Sequence, residues 1–440
     1  MTESVLLAED SRPIPPDQEA FDADWLSRLA DESVEGLIVR LVPQERESER
    51  LVYSDRSGRW HAGRYIGDVD YAGRRLSVRP RFGFEDIAEW LAEVLHLPVV
   101  PDLRGKLEEG PFLDHLLAIT WGSGLVRAAK HGLPLLRRPV RHVGHSVRGR
   151  LKVRETLGRR ARGQPNLVSE TTERDLDNPI VRTAMAAYQV LHRRLVSREM
   201  SDDEWIPQGG RDLVPAMLRA CGPRPEPPSR REIRRIRYSP ITETYRPFVA
   251  LSEQIARLRG GIPEVAEDRS EVSGLLLDVA ELWELYVFHT ARAGLSGVRV
   301  VHGTAESEER WQLGRSSDGQ RLQRLVPDVV VERDARAELI ADAKYKSLAP
   351  RRDLGRPRGY EHGDLYQLIT YLTEAVCEGQ PNGWLVYPRE EDGASVEESG
   401  PWTLRAGQRV SFVQLPRKRE AARLRWAELF SDGEEEYARV

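Results

Sequence analysis

Asp328, Asp342 and Lys344 are the residues of this sequence whose types and spacing best suit joint chemistry. They lie in RLVPDVVVERDARAELIADAKYK, residues 324–346, where two apolar, β-branched runs flank Asp334-Ala335-Arg336, the natural turn of a hairpin. A three-residue loop centred on Ala335 sets Arg333 opposite Ala337 and, counting back, Asp328 opposite Asp342. Opposed residues share a face with Cβ atoms about 5 Å apart, and Lys344, two positions on, joins that face. Val329, Val331, Leu339, Ala341 and Ala343 take the other, apolar side. Two carboxylates and an ammonium at one spot suit the holding of a divalent metal against a phosphate. The competing reading is a solvated edge strand whose charges discourage pairing with another chain.

Of the 66 lysines and arginines, only Lys106, Lys130, Lys152, Lys344, Lys346 and Lys418 are lysine. Arginine therefore serves wherever charge alone is needed, yet two of these few lysines fall in DAKYK. A compact ammonium whose pKa can shift suits water activation or phosphate stabilisation better than a planar guanidinium does.

The hairpin needs elements to position it. Leu275–Arg292 (LLLDVAELWELYVFHTAR) has helical periodicity and carries Glu281 and Glu284. Residues 361–378, EHGDLYQLITYLTEAVCE, form a second helix with Leu365, Leu368, Ile369, Leu372 and Val376 as its apolar stripe. Gln367 and Tyr371 stand one turn apart on a neighbouring face.

An acidic helix, a hairpin with D…DxK beginning at Pro327-Asp328, and a helix with QxxxY follow one another. This order resembles the PD-(D/E)xK nuclease superfamily, in the branch with a Gln-x-x-x-Tyr motif. The segments GLLLDVAELWELYV, VPDVVVE, LIADAKYK and DLYQLITYL more closely resemble the McrC family, the cleavage subunits of McrBC-type restriction systems. Fainter likenesses are GRRLSVRPRFGFED, HSVRGRLKVRETL and ETTERDLDNPIVRTAM, the last with Glu173, Asp177 and Asn178; together they reach across most of residues 35–390. The tail after Pro388 and the proline- and arginine-rich stretch near residue 225 depart from that family.

The resemblance implies an α/β fold with a restriction-endonuclease-like C-terminal domain, a mixed sheet flanked by helices. It implies that Asp328 and Asp342 bind Mg²⁺ with the backbone carbonyl of Ala343, and that Glu284 joins directly or through water, Glu281 being the open alternative. Lys344 would position or deprotonate the attacking water and stabilise the pentavalent phosphate. Gln367 would orient Lys344 or the scissile strand, and Tyr371 would support its helix. The implied substrate is modified (5-methylcytosine) double-stranded foreign DNA. The implied partner is a hexameric McrB-like AAA+ GTPase whose hydrolysis the chain stimulates. Two alternatives stay open: a RecB-like exonuclease or junction resolvase, and a non-catalytic DNA-binding activator of an AAA+ partner.

With 40% hydrophobic and 31% charged residues, the chain fits a soluble multidomain protein. Its cysteines, Cys221 and Cys377, exclude a disulfide framework or a thiolate zinc site. MTESVLLAED lacks a basic stretch followed by an apolar core, so no signal peptide is expected. No apolar run approaches the length of a membrane span, and a cytoplasmic location follows. No GxxxxGK[ST] occurs, which puts any nucleotide-driven motor on a partner chain. A net charge of −4 gives no overall pull toward DNA, so contact must come from local clusters. These lie within residues 137–162, within 230–237, and at Arg351, Arg352, Arg356 and Arg358 in the loop after the hairpin. The last four are the expected DNA-binding residues.

The expected organisation is a disordered tail (1–20), an α+β partner-docking domain (21–110), a mainly helical middle region (111–220), a linker (221–239) and the nuclease domain (240–440). In the first domain Ser57-Gly58 and Ala72-Gly73 mark hairpin tips and a helix spans about Glu85–Leu95. The middle region has helices Phe112–Lys130 and Pro179–Arg198 with a basic loop between them. Later strands are expected at Trp384–Tyr387 and Val410–Leu415, and a last helix at Glu420–Phe430.

Overall fold

The computed structural model describes residues 5–39, 41, 49–95, 112–196, 201–257, 272–303, 313, 317–318, 320, 325–345, 362–374, 381–389, 399–405 and 407–437. The chain opens with β1 (Val5–Glu9), α1 (Ala23–Ala30), β2 (Ile38–Val39), β3 (Val52–Ser54), β4 (Trp60–Ala62), β5 (Tyr65–Tyr71), β6 (Arg74–Arg79) and α2 (Phe84–Val94). Then come α3 (Phe112–Ala128), β7 (Leu136–Gly144), β8 (Arg150–Leu151), α4 (Val153–Arg160), β9 (Leu167–Asp175), α5 (Pro179–Val196), α6 (Asp202–Trp205), α7 (Gln208–Arg211), α8 (Leu213–Cys221), α9 (Arg230–Arg234) and α10 (Tyr245–Ala256). The chain closes with β10 (Val272–Asp278), α11 (Val279–Gly294), β11 (Arg299–Val301), β12 (Val329–Arg333), β13 (Arg336–Ala343), α12 (His362–Glu374), β14 (Asn382–Pro388), β15 (Ser399–Thr403), β16 (Arg409–Leu415) and α13 (Arg419–Tyr437). The architecture is mixed α/β, and contacts divide it into two compact units, residues 1–116 with 268–440, and residues 117–267.

Among the described residues the first unit holds the two-stranded sheet β3-β4 and two larger sheets. One has the order β1-β6-β5-β10-β2, with Leu6, Trp25, Leu26, Tyr65, Val69, Leu76 and Leu276 in its core. The other runs β11-β12-β13-β14-β16-β15, parallel through β13, β14 and β16 and antiparallel at either side. Leu368, Tyr371 and Leu372 of α12 pack on Val330, Ile340 and Leu385 of this sheet. Val329, Val331, Leu339 and Ala341 are just as buried, with α11 against the same strands, so both faces are covered as a largely parallel core requires.

Here the sequence-based organisation needs correcting. The tail expected over 1–20 contains β1, whose alternating burial places Leu6 and Ala8 inside and which pairs in parallel with β6. The expected helix from Leu275 begins instead as strand β10, and Asp278 caps α11 by accepting from the N–H groups of Ala280 and Glu281 (both 3.1 Å). β10 lies between β5 and β2. It approaches β5 so closely that a Cβ on Gly274, at φ +154°, would meet the Asp68 carbonyl at 2.3 Å; only glycine fits there. The expected linker at 221–239 contains the end of α8 and all of α9, and it is not where the units divide. A fragment starting at residue 240 would leave β10 without its sheet.

Charge and aromatic packing bind the two ends of this unit. Asp86 pairs with Arg417 (2.7 Å) and Lys418 (3.4 Å), and Glu93 with Arg423 (2.6 Å). Glu89 accepts from the Arg419 N–H (3.1 Å), and the Trp90 indole donates to the Arg417 carbonyl (3.1 Å). The Trp90 ring meets Trp283 and Tyr286 of α11 at 4.9 and 5.6 Å.

In the second unit, Trp121, Tyr188, Trp205 and Phe248 gather rings at centroid distances of 5.4 to 6.1 Å. The Trp121 indole donates to the Ser252 hydroxyl at 3.1 Å. Asn178 caps α5 through the Ile180 N–H (3.0 Å), and Asp177 pairs with Arg182 (2.5 Å). The expected basic loop is instead a three-stranded sheet, β7-β9-β8. Pro139 and the arginines hid β7, an edge strand, where a missing N–H does no harm.

Candidate active site at the Asp328–Lys344 hairpin

The hairpin forms, but its turn is shorter than expected. Asp334 and Ala335 alone make it, with φ of 51° and 63°, as a type I′ turn demands. Arg333 therefore faces Arg336 rather than Ala337. A bulge between Val331 and Glu332 absorbs one residue, and Val329 again faces Ala341. Continuing that register brings Asp328 opposite Asp342, as the sequence implied.

Asp328 and Asp342 are 6% and 2% exposed. Asp328 Oδ2 accepts from the Ala343 N–H at 2.7 Å. Lys344 Nζ stands 2.6 Å from Asp342 Oδ2 and donates to Gln367 Oε1 at 3.0 Å. The Gln367 amide donates to the Tyr371 hydroxyl (2.7 Å), and that hydroxyl to the Val326 carbonyl (3.3 Å). The chain of bonds thus runs from the lysine through α12 and back to the segment leading into β12. Burial raises the Tyr371 pKa, so its hydroxyl stays protonated and able to donate. The structure therefore brings Asp328, Asp342, Lys344, Gln367 and Tyr371 together.

Burial pushes the Asp328 carboxyl well above the usual carboxylate range, and Glu284 and Asp342 push it further. Burial also raises Asp342, with Lys344 pulling the other way. Burial opposes the charge on Lys344, but Asp342 and its acidic neighbours outweigh it and the pKa rises. Asp342, Asp328 and Asp364 act on Lys344, and Glu284 acts on Asp328; carboxyls gathered this closely favour a bound cation. Among the described residues no three His, Cys, Asp or Glu side chains could hold an ion alone. Two aspartates with a backbone carbonyl and water remain a donor set that suits a hard cation such as Mg²⁺.

Glu284 and Glu281 differ in position. Glu284 lines an open cleft of about 560 Å³ together with Ala343, Lys344 and Asp364, whereas Glu281 is 3% exposed and does not line it. Asp364 was overlooked in the sequence; it lies one turn before Gln367, and its Oδ1 is 3.7 Å from Lys344 Nζ. That spacing from Gln367 on a helix was the available signal. A second omission is Tyr345, whose ring packs under the Arg81 guanidinium at 4.2 Å. Arg81 in turn donates its backbone N–H to buried Asp10 (2.8 Å), so N-terminal residues brace the end of the hairpin. Arg351, Arg352, Arg356 and Arg358 lie outside the described residues.

The sequence matches the family described as McrBC 5-methylcytosine restriction system component over residues 61–388. No curated protein matches it. Its fold is similar to a chain of the refined half-complex from the tetradecameric assembly of Thermococcus gammatolerans McrB AAA+ hexamers with bound McrC. That match has a TM-score of 0.54 at 14% identity, over 97% of this chain and 99% of the other. A chain of the Thermococcus gammatolerans McrBC complex also matches, with TM-score 0.40 and 15% identity, over 66% of this chain and 88% of the other. With a family match spanning most of its length, the hairpin and the helices around it included, the chain belongs to the McrBC 5-methylcytosine restriction system components.

Proposed function

We propose that this chain is the McrC-type nuclease subunit of its system, a Mg²⁺-dependent endonuclease of the PD-(D/E)xK kind. The observation that carries the reading is the meeting of Asp328, Asp342, Lys344 and Gln367, with Lys344 Nζ 2.6 Å from one carboxylate and 3.0 Å from the amide oxygen. Asp328, Asp342 and the Ala343 carbonyl would hold Mg²⁺, with Glu284 joining from the cleft wall. When bound, the ion supplies a water of lowered pKa and neutralises charge that builds on the phosphate.

The remaining work falls to the chain itself. Gln367, fixed by Tyr371, holds Lys344 in one orientation, so its ammonium meets the phosphate or the attacking water without a prior search. Burial around Asp328 and Asp342 strengthens each charge interaction made there. Family membership supports modified double-stranded DNA as substrate and a hexameric McrB-like AAA+ GTPase as the partner that this chain stimulates.

Asp328→Ala and Asp342→Ala test the reading in a cleavage assay with methylated DNA, Mg²⁺, GTP and the AAA+ partner. Each should cut at least a hundredfold more slowly, while melting remains cooperative. Undiminished cutting by both variants would end the nuclease assignment. Lys344→Arg should also fail, because a planar guanidinium cannot take the compact position between Asp342 and Gln367.

A further inference from the structure

The cleft that Lys344 lines is lined also by residues more than two hundred positions away in sequence. Arg12, Tyr53 and Arg64 line it together with Glu284, Lys344 and Asp364. Arg12 follows β1, yet its backbone is fixed. The Ser11 N–H donates to the Gly63 carbonyl (2.9 Å), the Ala62 N–H to the Arg12 carbonyl (3.0 Å), and Pro13 bridges to His61. The Arg12 side chain is exposed and makes no ion pair among the described residues. Tyr53 pairs with His61 across β3 and β4, and its ring stacks on the imidazole at 5.3 Å and 10°. It is nevertheless 42% exposed. Arg64 is already held by Asp278 (2.9 Å) and Glu49 (2.8 Å), and Arg81 by Asp10 (3.9 Å), so among the described arginines of the cleft Arg12 is the one not committed to an ion pair.

An anchored arginine beside an anchored, exposed aromatic ring is the chemistry by which proteins grip a nucleic-acid strand: the cation takes a phosphate and the ring takes a base or sugar face. Because the same cleft carries Lys344, we infer that Arg12 and Tyr53 form a strand-holding subsite that receives the DNA next to the scissile phosphate. The segment after β1 and the β3-β4 sheet are then part of the substrate site. This inference rests on the nuclease reading above.

The test uses the full chain and fluorescein-labelled duplex DNA, with anisotropy read in EDTA over a series of salt concentrations. Arg12→Ala should weaken binding and lower the slope of log K against log salt by about 0.9, the loss of one phosphate contact. Arg12→Lys should restore the slope. Tyr53→Ala should weaken binding between about fivefold and a hundredfold with the slope unchanged. Wild-type affinity and slope in both alanine variants would overturn the inference. Asp342→Asn, assayed in parallel, separates the two claims. Normal binding with lost cutting upholds the nuclease reading whatever Arg12 and Tyr53 do; normal cutting sinks that reading instead.

Discussion

In the unit formed by residues 1–116 and 268–440, Arg64 and Arg417 turn inward onto buried acids, whereas the arginines of the β7-β9-β8 sheet in residues 117–267 stand on exposed faces. Arg417 and Asp86 have side chains 9% and 7% exposed, and Arg64 meets a fully buried Asp278. The Arg141–Glu155 pair of the other unit is about half exposed on both sides, and Arg137, Arg138, Arg148 and Arg150 are exposed as well. The residue type is the same, but the surroundings give it a different job. A buried guanidinium cross-links distant segments because its acid has no other way to be solvated. An exposed one contributes little to folding and stays available to a ligand. Arginine density in sequence cannot tell the two apart, but the spacing of acids can. Asp86, Glu89 and Glu93 repeat at helical intervals along α2, and each meets a basic residue of the 417–423 segment.

The widest gap between the units should appear on truncating Arg417. Arg417→Ala takes from buried Asp86 its ion-pair partner at 2.7 Å, while Lys418 stands farther off at 3.4 Å. Stability should fall by about 3 kcal/mol, the low end for breaking a buried pair, measured by denaturant unfolding. A loss under about 1 kcal/mol would mean this clasp behaves like a surface pair. At the other extreme, Arg141→Ala should shift the unfolding free energy by less than about 1 kcal/mol. A large loss there would erase the contrast.

The Asp328–Lys344 hairpin was readable because period-two alternation and a turn signal fix which residues share a face. Even a wrong turn length did no damage, since the bulge at Val331/Glu332 restored the register. Gln367 and Tyr371 were readable by helix periodicity. The position of β10 was not, because LLLD is apolar on both faces and such a run reads equally well as the start of a helix. Its partners lie some two hundred residues away in β5 and β2, and no local pattern encodes that pairing. A similar distance hid the Tyr345–Arg81–Asp10 brace and the N-terminal lining of the cleft. Asp278, followed three positions later by Glu281, was the one local hint of where α11 begins.

The central claim is that the Asp328–Asp342 pair is a metal centre and not a buried ion pair completed by Lys344. Both carboxyls titrate above the ordinary value of 3.8. Without metal, the folded chain therefore keeps protons that the unfolded chain has released. Their contribution to stability is full below about pH 4 and declines as pH rises through the folded values. Lys344, whose raised pKa acts near 10.5 and above, leaves that window alone. Mg²⁺ should reverse the decline by binding the charged carboxylates of the folded state only. The direct measurement is the melting temperature of the full chain at pH 7.5, in EDTA and in Mg²⁺, for the wild type and for Asp328→Asn/Asp342→Asn. The account predicts that Mg²⁺ raises the melting temperature of the wild type by several degrees and leaves the double variant unchanged. A wild type that melts at the same temperature in EDTA and in Mg²⁺ would contradict it.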